Sequence, residues 1–278
     1  MDRFVDNGKV RMHFREVGGH GPSLVLMHGL TANAHAFDGV LDAGLDTQAR
    51  ILIPDLRGRG RSSKADDYTM AAHAGDILAM LDSLGLEKAT MGGHSFGGLL
   101  SLYIACHFPE RVERLILMDA AAKMHPDTKE MLGPALGRLV KTYASFEAYI
   151  EEVKAAPYMD QWSDKMRSYY EADVTRHEDG TVSPIPTLKD MVAAVTAGVG
   201  EPWLEYIAGA GHEALLINGP GIYTLGGALL PEDMAMETVA MMQRCTYVKV
   251  PGNHQTMLYN QGAVAIAKAI DSFLKPSA

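Results

Sequence analysis

Cysteine is nearly absent from this chain of 278 residues: Cys106 lies within a helix pattern and Cys245 beside a strand pattern. Neither belongs to a metal-ligand spacing, so the chain has no disulfide framework, and both are read as buried, reduced thiols. No apolar run reaches the roughly 18 residues that a membrane helix needs. Asp2, Arg3, Asp6, Lys9, Arg11, Arg15 and Glu16 interrupt the opening residues, which excludes the apolar stretch of a signal peptide. Cytoplasmic localisation is the resulting expectation. Positive charge is also in deficit, with 25 Lys and Arg against 34 Asp and Glu and a formal net charge of −9. That balance argues against nucleic acid or membrane as a partner, because both need concentrated Lys and Arg. The one dense basic group, Arg57, Arg59 and Arg61, reads as a solvated turn in which one arginine pairs with a local carboxylate.

What the chain does have is apolar content, at 47%, enough to bury one large core. Residues 2–6 and 10–16 suggest an opening strand pair, the second alternating Val10, Met12 and Phe14 with Arg11, His13 and Arg15. Six short apolar runs follow, at 24–27, 51–54, 89–93, 115–118, 214–218 and 247–250. Each is bounded by Gly, Pro or Asp, as expected for strands buried on both faces of a parallel sheet. Helical spacing separates them at 69–84, 96–108, 232–242 and 261–274. Such alternation predicts a doubly wound α/β sheet with ligands beyond the carboxyl ends of its strands. Residues 121–209 break the pattern with helical segments at 129–142, 146–155, 164–170 and 188–199 and no convincing buried strand.

The chemistry centres on Gly93-His94-Ser95-Phe96-Gly97, a G-x-S-x-G sequence entered from a strand and left through an apolar helix. A serine at such a turn sits in strained backbone with its hydroxyl exposed and helix N–H groups behind it. Three further motifs keep it company. His28-Gly29-Leu30-Thr31 follows the strand ending at Met27, Asp55-Leu56-Arg57-Gly58-Arg59-Gly60-Arg61-Ser62 follows the strand ending at Pro54, and Pro251-Gly252-Asn253-His254 follows the last strand. In this order the motifs resemble the α/β-hydrolase family over about residues 1–120 and 210–278. The resemblance implies a mostly parallel eight-stranded sheet flanked by helices, with 1–120 and 210–278 as the core and 121–209 as a helical cap or lid.

It also implies a serine hydrolase with Ser95 as nucleophile, His254 as base, and an oxyanion hole made by the N–H groups of Leu30 and Phe96. The acid departs from the commonest family pattern. Where an aspartate is usual, Asn218-Gly219-Pro220-Gly221-Ile222-Tyr223 carries no carboxylate. Glu232 and Asp233 after it read as first-turn residues of a helix. Asp119 ends the strand after the elbow helix, beside the nucleophile strand in this topology, and some branches of the superfamily place their acid there. Asp119 is therefore the expected acid.

The expected reaction is cleavage of carboxylic esters of small to medium, largely apolar substrates through an acyl-enzyme, by a monomer or homodimer without metal or organic cofactor. His28, Met124, Tyr158, Trp162 and Tyr223 are candidate substrate contacts, although His28 also reads as shaping local backbone. In residues 121–206, nine Lys or Arg face fourteen Asp or Glu, which disfavours an anionic substrate. The same apparatus serves amide, lactone and C–C bond hydrolysis and perhydrolysis. Serine in place of aspartate at the elbow speaks against a dehalogenase. A ligand receptor on the same fold is the alternative of another class.

Overall fold

The computed structural model of the chain describes residues 1–19, 21–45 and 48–275. Its strands are β1 (Asp2–Asp6), β2 (Arg11–Gly18), β3 (Ser23–Met27), β4 (Arg50–Pro54), β5 (Ala89–His94), β6 (Val112–Met118), β7 (Val174–Arg176), β8 (Val182–Pro184), β9 (Ala214–Asn218) and β10 (Cys245–Lys249). Its helices are α1 (Asp38–Asp42), α2 (Met70–Ser83), α3 (Phe96–His107), α4 (Thr128–Met131), α5 (Gly133–Gly137), α6 (Phe146–Lys154), α7 (Met166–Glu171), α8 (Leu188–Val199), α9 (Trp203–Gly209), α10 (Glu232–Met241) and α11 (Asn260–Leu274). Eight strands form one sheet in the order β1-β2-β4-β3-β5-β6-β9-β10. Both pairings of β2 are antiparallel and the other pairings are parallel, giving the expected doubly wound sheet.

The short apolar runs become strands because both of their faces are covered. Leu24 and Leu26 of β3 pack on one side with Ile51, Ile53, Ile116, Met118, Leu215 and Ile217. Val25 and Met27 pack on the other with Leu52, Leu115, Leu117 and Leu216. Successive side chains point to opposite faces, so a strand covered on both sides has no polar face to show. Helix α2 brings Met70, Ile77, Met80 and Leu81 to the second of these cores, and α11 brings Ala263, Ile266 and Ile270 to the first. Burying one such Leu or Ile side chain contributes about 1.5–3 kcal/mol. At the head of α2 the Thr69 hydroxyl accepts the Ala72 N–H at 3.2 Å, satisfying one of the donors a helix start leaves free.

Helices α4 to α9 lie between β6 and β9, together with one feature the sequence patterns did not predict. Strands β7 and β8 pair as an antiparallel hairpin closed over His177–Gly180. Each has three residues and one buried side chain, Val174 and Val182, too few to display a period. The helix expected over 129–142 is broken into α4, α5 and a 3₁₀ turn at Arg138–Val140. Pro134 has no N–H to donate and is tolerated only in a first turn, so a new helix has to begin there. Helices α1 and α9 also went unpredicted, being short. Cys106 and Cys245 are free and half-buried, and burial raises both thiols to about 11. Among the described residues, no helix is long and apolar enough to cross a membrane.

Candidate active site

At the centre of the sheet β3 and β5 are neighbours, but the chain leaves β3 toward β4 on one side and returns through β5 to β6 on the other. Carboxyl ends of strands at such a reversal form a crevice, and the candidate residues gather there. Ser95 joins β5 to α3 with φ 54° and ψ −119°. A non-glycine residue held at positive φ costs on the order of 1–3 kcal/mol and persists only where its surroundings impose it. Here the Ser95 N–H is tied to the Met118 carbonyl at 2.9 Å, and its own carbonyl starts α3 by accepting from Gly98 and Leu99. The flanking glycines are required by close approach. A Cβ on Gly93 would overlap the Gly97 carbonyl, and one on Gly97 would overlap the Met27 carbonyl of β3.

His254 sits in the turn after β10, and its Nδ1 is 2.7 Å from Oδ2 of Asp119, with both side chains buried. Asp119 follows β6 at φ 49°, the second candidate residue in this region of the backbone map. Its other oxygen, Oδ1, accepts from Asn218 Nδ2 at 2.8 Å and from the Gly219 N–H at 2.9 Å. The position that lacks a carboxylate after β9 therefore supplies donors to the carboxylate after β6. Asn218 is held in turn, donating to the Leu230 carbonyl and accepting from the Tyr247 hydroxyl. Asp233 is exposed at the head of α10, where it accepts the Met234 N–H. His94 Nε2 donates to the His254 carbonyl at 2.8 Å, with the two rings 4.5 Å apart, so it braces the histidine turn.

Phe96 N–H opens α3, where the first donors of a helix lack intrahelical partners and the helix dipole is positive. On the facing side, an ideal Cβ at Gly29 would lie 3.5 Å from the Ser95 Cβ, which brings the Gly29-Leu30 peptide against the nucleophile candidate. His28, expected among the substrate contacts, lines neither cavity at Ser95. It is fully buried, with Nδ1 2.8 Å from the Gly29 carbonyl and Nε2 accepting the Leu56 N–H at 3.0 Å. A carbonyl can only accept and an amide can only donate, so the ring is neutral with its proton on Nδ1. Because C=O and N–H point oppositely in a trans peptide, holding the Gly29 carbonyl turns the Leu30 N–H the other way.

Two arginines complete this support, and their charge gave no hint of it. Arg57 and Arg59 are buried, contrary to the solvated turn expected for this stretch. Arg57 pairs with Asp76 at 2.8 Å, while exposed Arg61 pairs with Asp2. Arg59 donates through Nε to the Leu30 carbonyl at 2.8 Å and through Nη1 to the Arg57 carbonyl and His73 Nε2, and burial lowers it to about 9. Arg138, from the 3₁₀ turn, donates from Nη2 to the carbonyl and hydroxyl of Thr31, each at 3.2 Å, and pairs with buried Asp173 at 3.0 Å. The carbonyls of Leu30 and Thr31 are thus each held by a buried guanidinium.

His28, His73 and His94 are all held neutral by burial, His28 at about 4. Each regains an ordinary value near 6.5 on unfolding. Their folded pKa values are depressed, so the stability they contribute is present above pH 6.5 and is lost as pH falls toward 4. With three protons taken up on unfolding, the slope reaches up to about 4 kcal/mol per pH unit. Urea midpoints are expected to fall steeply between pH 6.5 and 4.5, and a midpoint that stays level across that interval would contradict the burial of these rings as neutral groups.

Two cavities meet at Ser95. The larger, about 340 Å³, is lined by Met70, Phe96, Leu99, Met124, Val195 and Trp203 among others. The smaller, about 60 Å³, is lined by Thr31, Tyr169, Tyr223, His254, Gln255 and Tyr259 among others. Of the candidate substrate contacts, Met124 lies on the first and Tyr223 on the second. Tyr158 and Trp162 line neither, because Tyr158 is buried in a stack on Tyr223 and Trp162 stacks on Tyr170. Among the described residues, no group of three or more His, Cys, Asp or Glu could hold a metal ion.

A family model described as alpha/beta hydrolase fold matches residues 22–210. A 3-hydroxybutyrate-oligomer hydrolase of Cupriavidus necator is 28% identical over 280 residues, 94% of this chain and 92% of the relative. A haloalkane dehalogenase of Mesorhizobium japonicum is 26% identical, covering 95% of this chain and 87% of its own. The structure of E-2-(acetamidomethylene)succinate hydrolase superposes with a TM-score of 0.85 at 22% identity, covering 99% of this chain and 98% of the other.

Proposed function

The chain belongs to the α/β-hydrolase family of hydrolases, and from that premise we propose that it cleaves carboxylic esters of largely apolar acids by a serine mechanism. Ser95 Oγ attacks the ester carbon while His254 Nε2 takes its proton, and Asp119 holds the imidazolium through Nδ1–H. The carbonyl oxygen, now negative, is received by the N–H groups of Leu30 and Phe96. As the tetrahedral intermediate collapses, the C–O bond to the alcohol breaks and His254 returns the proton to the departing oxygen. Water, deprotonated by the same histidine, then attacks the acyl-enzyme, and release of the acid regenerates Ser95. Residues 121–209 serve as a lid that shapes the acyl pocket and excludes water.

The observation that carries this reading is the buried 2.7 Å contact between Asp119 and His254, a histidine on the wall of a cleft that Ser95 also lines. A histidine whose Nδ1 faces a carboxylate has its Nε2 lone pair available for a hydroxyl proton. Serine at the elbow leaves no carboxylate there to form the ester on which a dehalogenase depends. Saturable release of acid is expected across a panel of methyl esters from acetate to octanoate. Release no faster than in buffer, from protein shown to be folded, would favour the receptor reading instead.

A further inference from the structure

The ester oxygen that leaves must receive its proton from His254, so the alcohol has to sit on the side of Ser95 where His254 is. The two cavities differ on this point. His254 lies on the wall of the smaller one, with Tyr169, Tyr223 and Gln255, and does not line the larger. Leu30, Ser95 and Leu132 are the residues common to both walls, so the scissile bond would span the boundary between them. The loop that carries Leu30 is held by Arg59 and Arg138. We propose, building on the ester-hydrolase reading above, that the larger cavity takes the acyl chain and the smaller one the alcohol, so that the preferred substrates are medium-chain apolar acids esterified to a short alcohol.

Capacity sets those sizes. The larger cavity offers about 340 Å³ and the smaller about 60 Å³, so the first gives a chain room that the second does not. Chemistry sets the classes. Apart from Ser95 and Thr128, whose hydroxyl donates to the His125 carbonyl, the larger cavity is walled by Ala, Leu, Met, Val, Phe and Trp side chains, and the one ionisable group on it, Asp119, is buried and already bonded to His254, Asn218 and Gly219. A charged acyl group would find no partner there, whereas an extended hydrocarbon would leave no polar group unpaired. The smaller cavity carries Thr31, three tyrosines and Gln255, and the buried hydroxyl of Tyr259 has no hydrogen-bond partner among the described residues. A short alcohol fits that narrower space, which has a larger polar share of its wall, and a long alkyl chain does not.

Three isomeric esters of the same formula separate the arrangements: methyl octanoate, butyl pentanoate and heptyl acetate, compared by kcat/KM on the wild-type protein. Excluding even a single methylene from a fitted pocket is worth about tenfold or more, so methyl octanoate is expected to exceed heptyl acetate by at least that factor, with butyl pentanoate between them. Leu136 lines the smaller cavity alone, and Leu136→Ala is expected to raise butyl pentanoate relative to methyl octanoate. Equal rates on the wild-type protein, or a preference for heptyl acetate, would overturn the division while leaving ester hydrolysis intact. Failure to hydrolyse any of the three esters, from protein shown to be folded, would overturn the ester reading, and the division with it.

Discussion

Asp119→Asn is expected to lower kcat by about 10⁴. Asp119 Oδ1 accepts from two donors, Asn218 Nδ2 and the Gly219 N–H, so the amide oxygen of the variant stays on that side. Its NH₂ then faces His254 Nδ1, which can only accept, and the ring proton moves to Nε2. A histidine protonated there cannot take the serine proton. Asp233→Asn serves as the comparison, since an exposed carboxylate at a helix start contributes only about 0.3–1 kcal/mol of stability. If Asp119→Asn kept near-wild-type turnover while Asp233→Asn lost it, the acid would belong to the segment after β9.

Ser95→Ala is expected to remove activity by a larger factor, on the order of 10⁶ in kcat, because the attacking atom itself is lost. Folding should survive, since the Ser95 Oγ is not among the hydrogen bonds that hold the elbow, which run through its N–H and carbonyl. Ser95→Gly should be equally inactive yet more stable than Ser95→Ala by about 1 kcal/mol, because glycine occupies φ 54° without the clash of a Cβ. Substantial turnover in both variants would remove Ser95 from the chemistry.

How far residue patterns foretell such a site depends on whether the deciding contacts are local. The apolar runs at 24–27 and 214–218 announce strands because both faces of each are covered, and the elbow is legible because close approach at Gly93 and Gly97 leaves room for glycine alone. Asp119 could be singled out because the stretch after β9 has no carboxylate. That Asn218 would turn back to donate to it was not legible, since the two are 99 residues apart. The arginines fail as signals for a related reason: charge in a sequence suggests solvent, but the burial of Arg59 and Arg138 depends on carbonyls and partners from distant segments. Tyr158 and Trp162 are aromatic at plausible positions, yet stacking turns both toward neighbouring tyrosines and away from the cavities.

The most direct test of Ser95 as the nucleophile is mass spectrometry of the protein after reaction with a fluorophosphonate, followed by peptide mapping. A single adduct on Ser95 is expected, formed rapidly in the wild type, slowly in Asp119→Asn and not at all in Ser95→Ala. An adduct on another residue of a protein that hydrolyses esters, or unchanged labelling in Ser95→Ala, would contradict it.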